Sequence, residues 1–154
     1  MIVVVILAIA AAMITPMFGQ TEITRLRAAA DLLAADLAFA QIESITHGDD
    51  PRVVVFDSTN HQYHIAAVSA PATPITNPVG NQPYLTQFGQ GRASETTGVT
   101  IQSYALDGDN QLQFGIYGQL DQTTDATITL ENAGHTITLT VNAVTGEVTI
   151  GNVN

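Results

Sequence analysis

The chain has 154 residues, with 14 acidic side chains against four arginines, no lysine and no cysteine, for a net charge of −10. That length suits one ordinary domain with a helical extension. The acid excess repels nucleic-acid phosphates and anionic lipid headgroups alike, and the absence of cysteine excludes disulfides, thiolate metal sites and cysteine nucleophiles.

The first stretch to place is M-I-V-V-V-I-L-A-I-A-A-A-M-I, which has no charge and no polar side chain. Fourteen helical residues span about 21 Å, short of the roughly 30 Å hydrocarbon core of a bilayer. Adding Thr15, Pro16, Met17 and Phe18 reaches transmembrane length, and a proline kinks a helix without necessarily ending it. A cleaved signal peptide would need a basic flank before the apolar run, and none is present. A helix buried in a soluble core would need covering on every side. A membrane anchor accounts for the run, with Ile2, Val3, Val4, Val5, Ile6, Leu7, Ile9, Ile14 and Pro16 as its residues. The short span and missing basic flank predict that the natural chain begins several residues earlier.

After Gly19 the pattern changes. Thr21 or Thr24 can cap or soften the junction, and Glu22 suits the start of an amphipathic stretch. Ile23, Leu26, Ala30, Leu33, Leu37 and Ala40 recur at spacings of three and four, a seam for helix packing along one face. Leu32, Phe39 and Ile42 widen it toward a second packing surface. Arg25, Arg27, Asp31, Asp36 and Glu43 lie mostly off the seam. Seven alanines between Ala28 and Ala40 permit close helix approach. One face is expected to cover the chain's own sheet and a second to meet neighbouring subunits. Gly48, Asp49, Asp50 and Pro51 end the helix in a turn.

The rest reads as strands. Arg52 to Asp57 and His61 to Ala67 form a hairpin. Ser69 to Pro83, with four prolines, is a long loop, functional or mobile. Tyr84 to Phe88 is a short strand and Gly89 to Gly98 a polar loop. Val99 to Leu106 and Gln111 to Phe114 are strands around a turn at Asp107 to Asn110. In Ala126 to Leu130 and His135 to Val141 threonines alternate with aliphatics. Ile128, Leu130, Ile137, Leu139 and Val141 therefore face the core, and Thr127, Thr129, Thr136, Thr138 and Thr140 face solvent. Glu147 to Ile150 is the closing strand.

No catalytic constellation emerges. His61 and His64 are three apart on a predicted strand and point to opposite faces, a poor metal pair. Asp107 to Asn110 fails the calcium-loop spacing, since Leu112 stands where glycine is needed and Gly118 where glutamate is needed. After the helix the only arginines are Arg52 and Arg92, too few for a nucleic-acid groove. No catalytic residue, cofactor or metal is expected, and nucleic acid is an unlikely partner.

The opening M-I-V-V-V-I-L-A-I-A-A-A-M-I-T-P resembles the N-terminal helix of type IV pilin-like proteins. The segment R-L-R-A-A-A-D-L-L-A-A-D-L-A-F-A-Q-I-E-S-I followed by R-V-V-V-F-D resembles the GspH/FimT-type minor pseudopilins and minor pilins. L-Q-F-G-I-Y-G-Q-L-D, I-T-L and V-T-G-E-V-T-I match their closing segment, and Pro16 matches their helix-kinking proline. The mature chains of that family start with a methylated phenylalanine followed by T-L-I-E-L; Met1 aligns just past that motif.

The resemblance implies an α+β protein, a long N-terminal helix packed on a small antiparallel sheet. Residues 1–20 would form a membrane and fibre-core helix, and 21–154 a periplasmic head with an amphipathic helix to about 46 and a β-rich region from about 52 to 151. It implies a non-enzymatic, single-pass minor pseudopilin of type II secretion in the bacterial inner membrane. Its partners would be other pilin-like subunits, met through the N-terminal helix, and the assembly machinery. Alternatives are a minor pilin of a type IV pilus, for assembly or DNA uptake, and a membrane-tethered ligand-binding or enzymatic module.

Overall fold

The computed structural model describes the backbone from Ile2 and side chains from Thr21 to Asn154. The membrane reading of Ile2, Val3, Val4, Val5, Ile6, Leu7, Ile9, Ile14 and Pro16 therefore lies outside the described side chains. Among the described residues no helix is long and apolar enough to cross a membrane.

One helix, α1, runs from Ile2 to Thr46. Its described half carries Leu26, Ala29, Ala30, Leu33, Leu37 and Ala40 on one face, all fully buried. This is the face that spacings of three and four bring together. Ile23 is only half-buried.

The strands form two four-stranded antiparallel sheets where the sequence suggests a single small one. The first has the order β3-β2-β1-β5, from β1 (Arg52–Asp57), β2 (Gln62–Ala67), β3 (Leu85–Gln87) and β5 (Gln111–Gln113). The second has the order β4-β6-β7-β8, from β4 (Thr100–Ala105), β6 (Ala126–Asn132), β7 (His135–Val141) and β8 (Val148–Ile150). Helix α1 packs on β1 of the first sheet and on β6, β7 and β8 of the second. A shared core of Leu33, Leu37, Phe56, Leu112, Ile128 and Leu139 joins the three layers.

The β6–β7 hairpin follows the alternation of its sequence. Ile128, Leu130, Ile137, Leu139 and Val141 are buried and the intervening threonines only partly so. Its two-residue turn places Ala133 and Gly134 at positive φ, 52° and 85°. That backbone matches strand twist, and glycine adopts it without steric cost.

Two loops carry more structure than their composition suggests. The polar stretch after β3 contains a 3-10 helix, Gly91–Thr96. The proline-rich 69–83 loop is tied to the edge of β2: the Ile75 amide donates to the Ile65 carbonyl at 2.8 Å, and bridges join Ala66 to Pro74 and Thr76 to Pro83. Backbone groups that no full strand satisfies are thus paired locally.

Candidate functional site

Asp36 lies off the apolar seam in sequence, yet it is 2% exposed. It sits in the second half of α1 where the helix meets β2, β3 and the 3-10 helix, and each of these supplies it a donor. The Tyr63 and Tyr84 hydroxyls donate to its carboxylate at 2.7 and 2.9 Å, the Thr86 hydroxyl at 3.2 Å and the Arg92 guanidinium at 2.5 Å. Four donors and one positive charge compensate the loss of water that would otherwise expel a carboxylate from the interior. Arg92 also lies over the Tyr84 ring, 5.1 Å from its centre, and Phe39 stacks on that ring at 5.1 Å.

The ion pair joins a buried carboxylate to an arginine whose side chain is 33% exposed. Burial pushes the Tyr63 phenol well above its ordinary value, and the charge of Asp36 and the bond to it act in the same direction. Burial also raises Tyr84, against the opposing hydrogen bond of Arg92. Burial alone would lower Arg92, but its bonds to Tyr84 and Asp36 outweigh that and raise it. Raised in this way, Tyr63, Tyr84 and Arg92 keep their protons across the physiological range, which suits donors that clamp a carboxylate. A groove of about 510 Å³ opens between the 77–83 loop and Arg92. Arg92, which lines it, is already paired with Asp36, so it offers no unpaired positive charge to recruit an anion.

The second feature surrounds the C-terminal end of α1. Gln41 donates from Nε2 to the Gly118 and Thr145 carbonyls, both at 2.8 Å. It thereby pins the β5–β6 and β7–β8 loops to the helix. A Cβ on Gly146 would overlap the Gly118 carbonyl oxygen and the Gln41 amide, so only glycine fits there. Around this anchor stand Ile42 and Ile45 on the helix, Ile116 and Tyr117 on one loop and Val144 on the other. All five are exposed, Tyr117 by 84% and Val144 by 80%. Ile45 Cδ1 approaches Gly118, and Ile116 Cγ2 approaches Gly48. Five of the seven large exposed apolar side chains among the described residues thus gather at one end of the molecule. Scattered apolar residues need no explanation; a cluster of this kind marks a contact surface.

The structure separates the predicted packing residues by role. Leu26, Leu33 and Leu37 belong to the core that α1 shares with the sheets, whereas Ile23 is half-buried and outside it. Leu32 and Phe39, expected on a second packing surface, are partly buried against the core; Ile42 alone of that trio is exposed. Asp36 was missed because a charged residue next to a seam reads as solvated, and its donors come from residues 27 to 56 positions away. His61 and His64 form no metal site: His61 Nδ1 accepts from the Ile101 amide at 3.3 Å, and His64 Nε2 lies 2.8 Å from the Pro71 carbonyl. Among the described residues no group of three or more potential ligands could hold a metal ion.

Comparison with known proteins adds a family and a fold. The family described as "Type II transport protein GspH" matches residues 29–146. No curated protein matches the chain. The type IV minor pilin FimU of Pseudomonas aeruginosa superimposes with a TM-score of 0.61 at 17% identity, over 86% of this chain and 92% of that one. The minor pseudopilin EpsH from the Type 2 Secretion System of Vibrio cholerae gives a TM-score of 0.61 at 16% identity, over 82% of this chain and 96% of that one.

Proposed function

This chain belongs to the GspH family of type II transport proteins, and from that membership we propose that it is a structural minor pseudopilin of a type II secretion pseudopilus. The observation that carries the reading is the extent of the family match. Residues 29–146 take in most of the described half of α1 and every strand except β8, not one shared motif. The likeness to EpsH extends the same architecture to a named secretion subunit.

On this reading residues 1–20 are the membrane and fibre-core segment, and residues 21–154 the head held outside the inner membrane. An apolar helix that leaves lipid must be re-covered, and other subunits' helices supply that cover. The protein acts by assembly and catalyses nothing. The buried Asp36 clamp supports such a role, because it locks the head to the helix through which force and position would be transmitted.

A minor pilin of a type IV pilus is the second reading, supported by an equally good fold match to FimU. Deleting the gene separates the two. Secreted proteins retained in the periplasm with pili intact support the secretion reading. Loss of surface pili or DNA uptake with normal secretion replaces it with the pilus reading. An upstream in-frame G-F-T-L-I-E would support both against any tethered enzyme or ligand-binding module.

A further inference from the structure

The connection from β4 to β5 is a joint between the two sheets, because β4 belongs to the second and β5 to the first. Both of its ends are fixed. Leu106 is buried, the Phe56 amide donates to the Asn110 carbonyl at 2.9 Å, and Asn110 Nδ2 donates to the Phe56 carbonyl at 2.8 Å. Between these anchors Asp107 and Gly108 are exposed at positive φ, 57° and 98°. Among the described residues nothing hydrogen-bonds to the Asp107 carboxylate or to the Gly108 amide. A Cβ built on Gly108 would meet nothing within 4 Å, so the space beside that residue is open.

We propose that Asp107–Gly108 is a site of spontaneous covalent modification, where this turn converts from an aspartyl to an isoaspartyl linkage. The Gly108 nitrogen bonds to Asp107 Cγ, and its hydrogen leaves with the carboxyl hydroxyl as water. The cyclic imide then takes water back at either carbonyl. Addition at Cγ restores aspartate. Addition at the main-chain carbonyl breaks the original peptide bond and leaves the backbone running through Cβ. The product is an isomer of the starting chain, so no oxidant or co-reactant is consumed. Glycine suits the step, since no Cβ crowds the attacking nitrogen and its backbone turns most freely.

The fold selects this pair. The chain holds one Asp-Gly and no Asn-Gly. Two other aspartates precede small residues, Asp57 before Ser58 and Asp125 before Ala126, and both carboxylates are held. Asp57 accepts the Thr59 and Asn60 amides at Oδ1 and the Asn60 and Gln62 side chains at Oδ2. Asp125 accepts the Ala143 amide at 2.8 Å. After Asp49 the attacking group is occupied instead, because the Asp50 amide donates to the His47 carbonyl. Modification at Asp107 adds a main-chain carbon to a joint with fixed ends, so it loosens the Asn110–Phe56 pairing.

The test ages the full chain at neutral pH, folded in detergent and unfolded in urea. Isoaspartate is read by a protease that cuts before aspartate but not before isoaspartate, and by an isoaspartyl methyltransferase with labelled S-adenosylmethionine. An unrestrained Asp107 should convert in the folded chain within about threefold of its unfolded rate, whereas Asp57 should be slowed by the fold at least about tenfold. Asp107→Glu, which keeps the charge but closes a larger ring, should abolish the early methyl-accepting species, with circular dichroism checking the fold. The modified chain should exchange its Phe56 amide at least about tenfold faster than the parent. A folded rate at Asp107 about tenfold or more below the unfolded one, or isoaspartate arising first elsewhere, overturns the site. Unchanged Phe56 exchange overturns its coupling to the joint.

Discussion

The Arg92 guanidinium lies 2.5 Å from the Asp36 carboxylate and joins the middle of α1 to the 3-10 helix 56 residues later. Asp36 is the buried side of this pair, and its loss strands the buried hydroxyls that donate to it. Asp36→Ala is expected to cost about 3–5 kcal/mol, since Tyr63, Tyr84, Thr86 and Arg92 all lose their acceptor. Asp36→Asn keeps an acceptor and should cost less. Urea unfolding of the full chain in detergent measures both; equal stability of Asp36→Ala and the parent would refute the clamp.

Leu37 is fully buried where α1 meets the sheets. Leu37→Ala is expected to lose about 2–5 kcal/mol through lost burial and the cavity left behind. Ile42→Ala, one helical turn further on but exposed, should stay within about 0.5 kcal/mol of the parent. The contrast between the two, read from unfolding midpoints, checks which face of the helix is structural.

Gly146 sits at φ +68° with no room for a side chain. Gly146→Ala is expected to break the Gln41 bonds and free the β7–β8 loop, at a cost of roughly 1–3 kcal/mol. Hydrogen exchange should show faster exchange at Gly118 and Thr145 with β6 unaffected. Unchanged rates would remove Gln41 as the anchor.

Two carboxylates should tilt stability with pH in opposite directions. Hydrogen bonds from the Asn60 side chain and backbone hold Asp57 below the ordinary value of 3.8. Its stabilisation is therefore present above 3.8 and is lost as pH falls through the lower folded value. Asp57 is well solvated, so Asp57→Ala should cost under about 1 kcal/mol at pH 7 and nothing at pH 2. Partial withdrawal from water raises Asp121, with Asp109 and Asp107 adding to it. A raised carboxyl favours the fold only while protonated, so Asp121→Asn should raise the melting temperature slightly at pH 7 and not at pH 3. A reversed order of the two effects would refute these assignments.

Much of the architecture was legible because it is written in local periodicity. The seam of Leu26, Leu33 and Leu37 and the alternation from Ala126 to Val141 each specify an element and its buried face from spacing alone. The strand limits near Arg52, Gln62, Leu85 and Thr100 follow from neighbouring glycine, proline and turn residues. The split into two sheets was not legible, since strand pairing between β1 and β5 or β4 and β6 joins residues far apart. Nor was the burial of Asp36, which no rule of spacing distinguishes from the exposed Asp31 five residues before it.

By itself, the sequence determined the uncharged opening segment, the amphipathic continuation of the helix, the threonine-aliphatic hairpin and the acidic balance. Each of these is a property of neighbouring residues or of totals. Tertiary structure alone decided that Asp36 is enclosed by four donors, that Gln41 gathers two distant loops, and that Ile42, Ile116 and Val144 end on one surface. Those arrangements depend on contacts among residues that only chain folding brings together, and no local pattern encodes them.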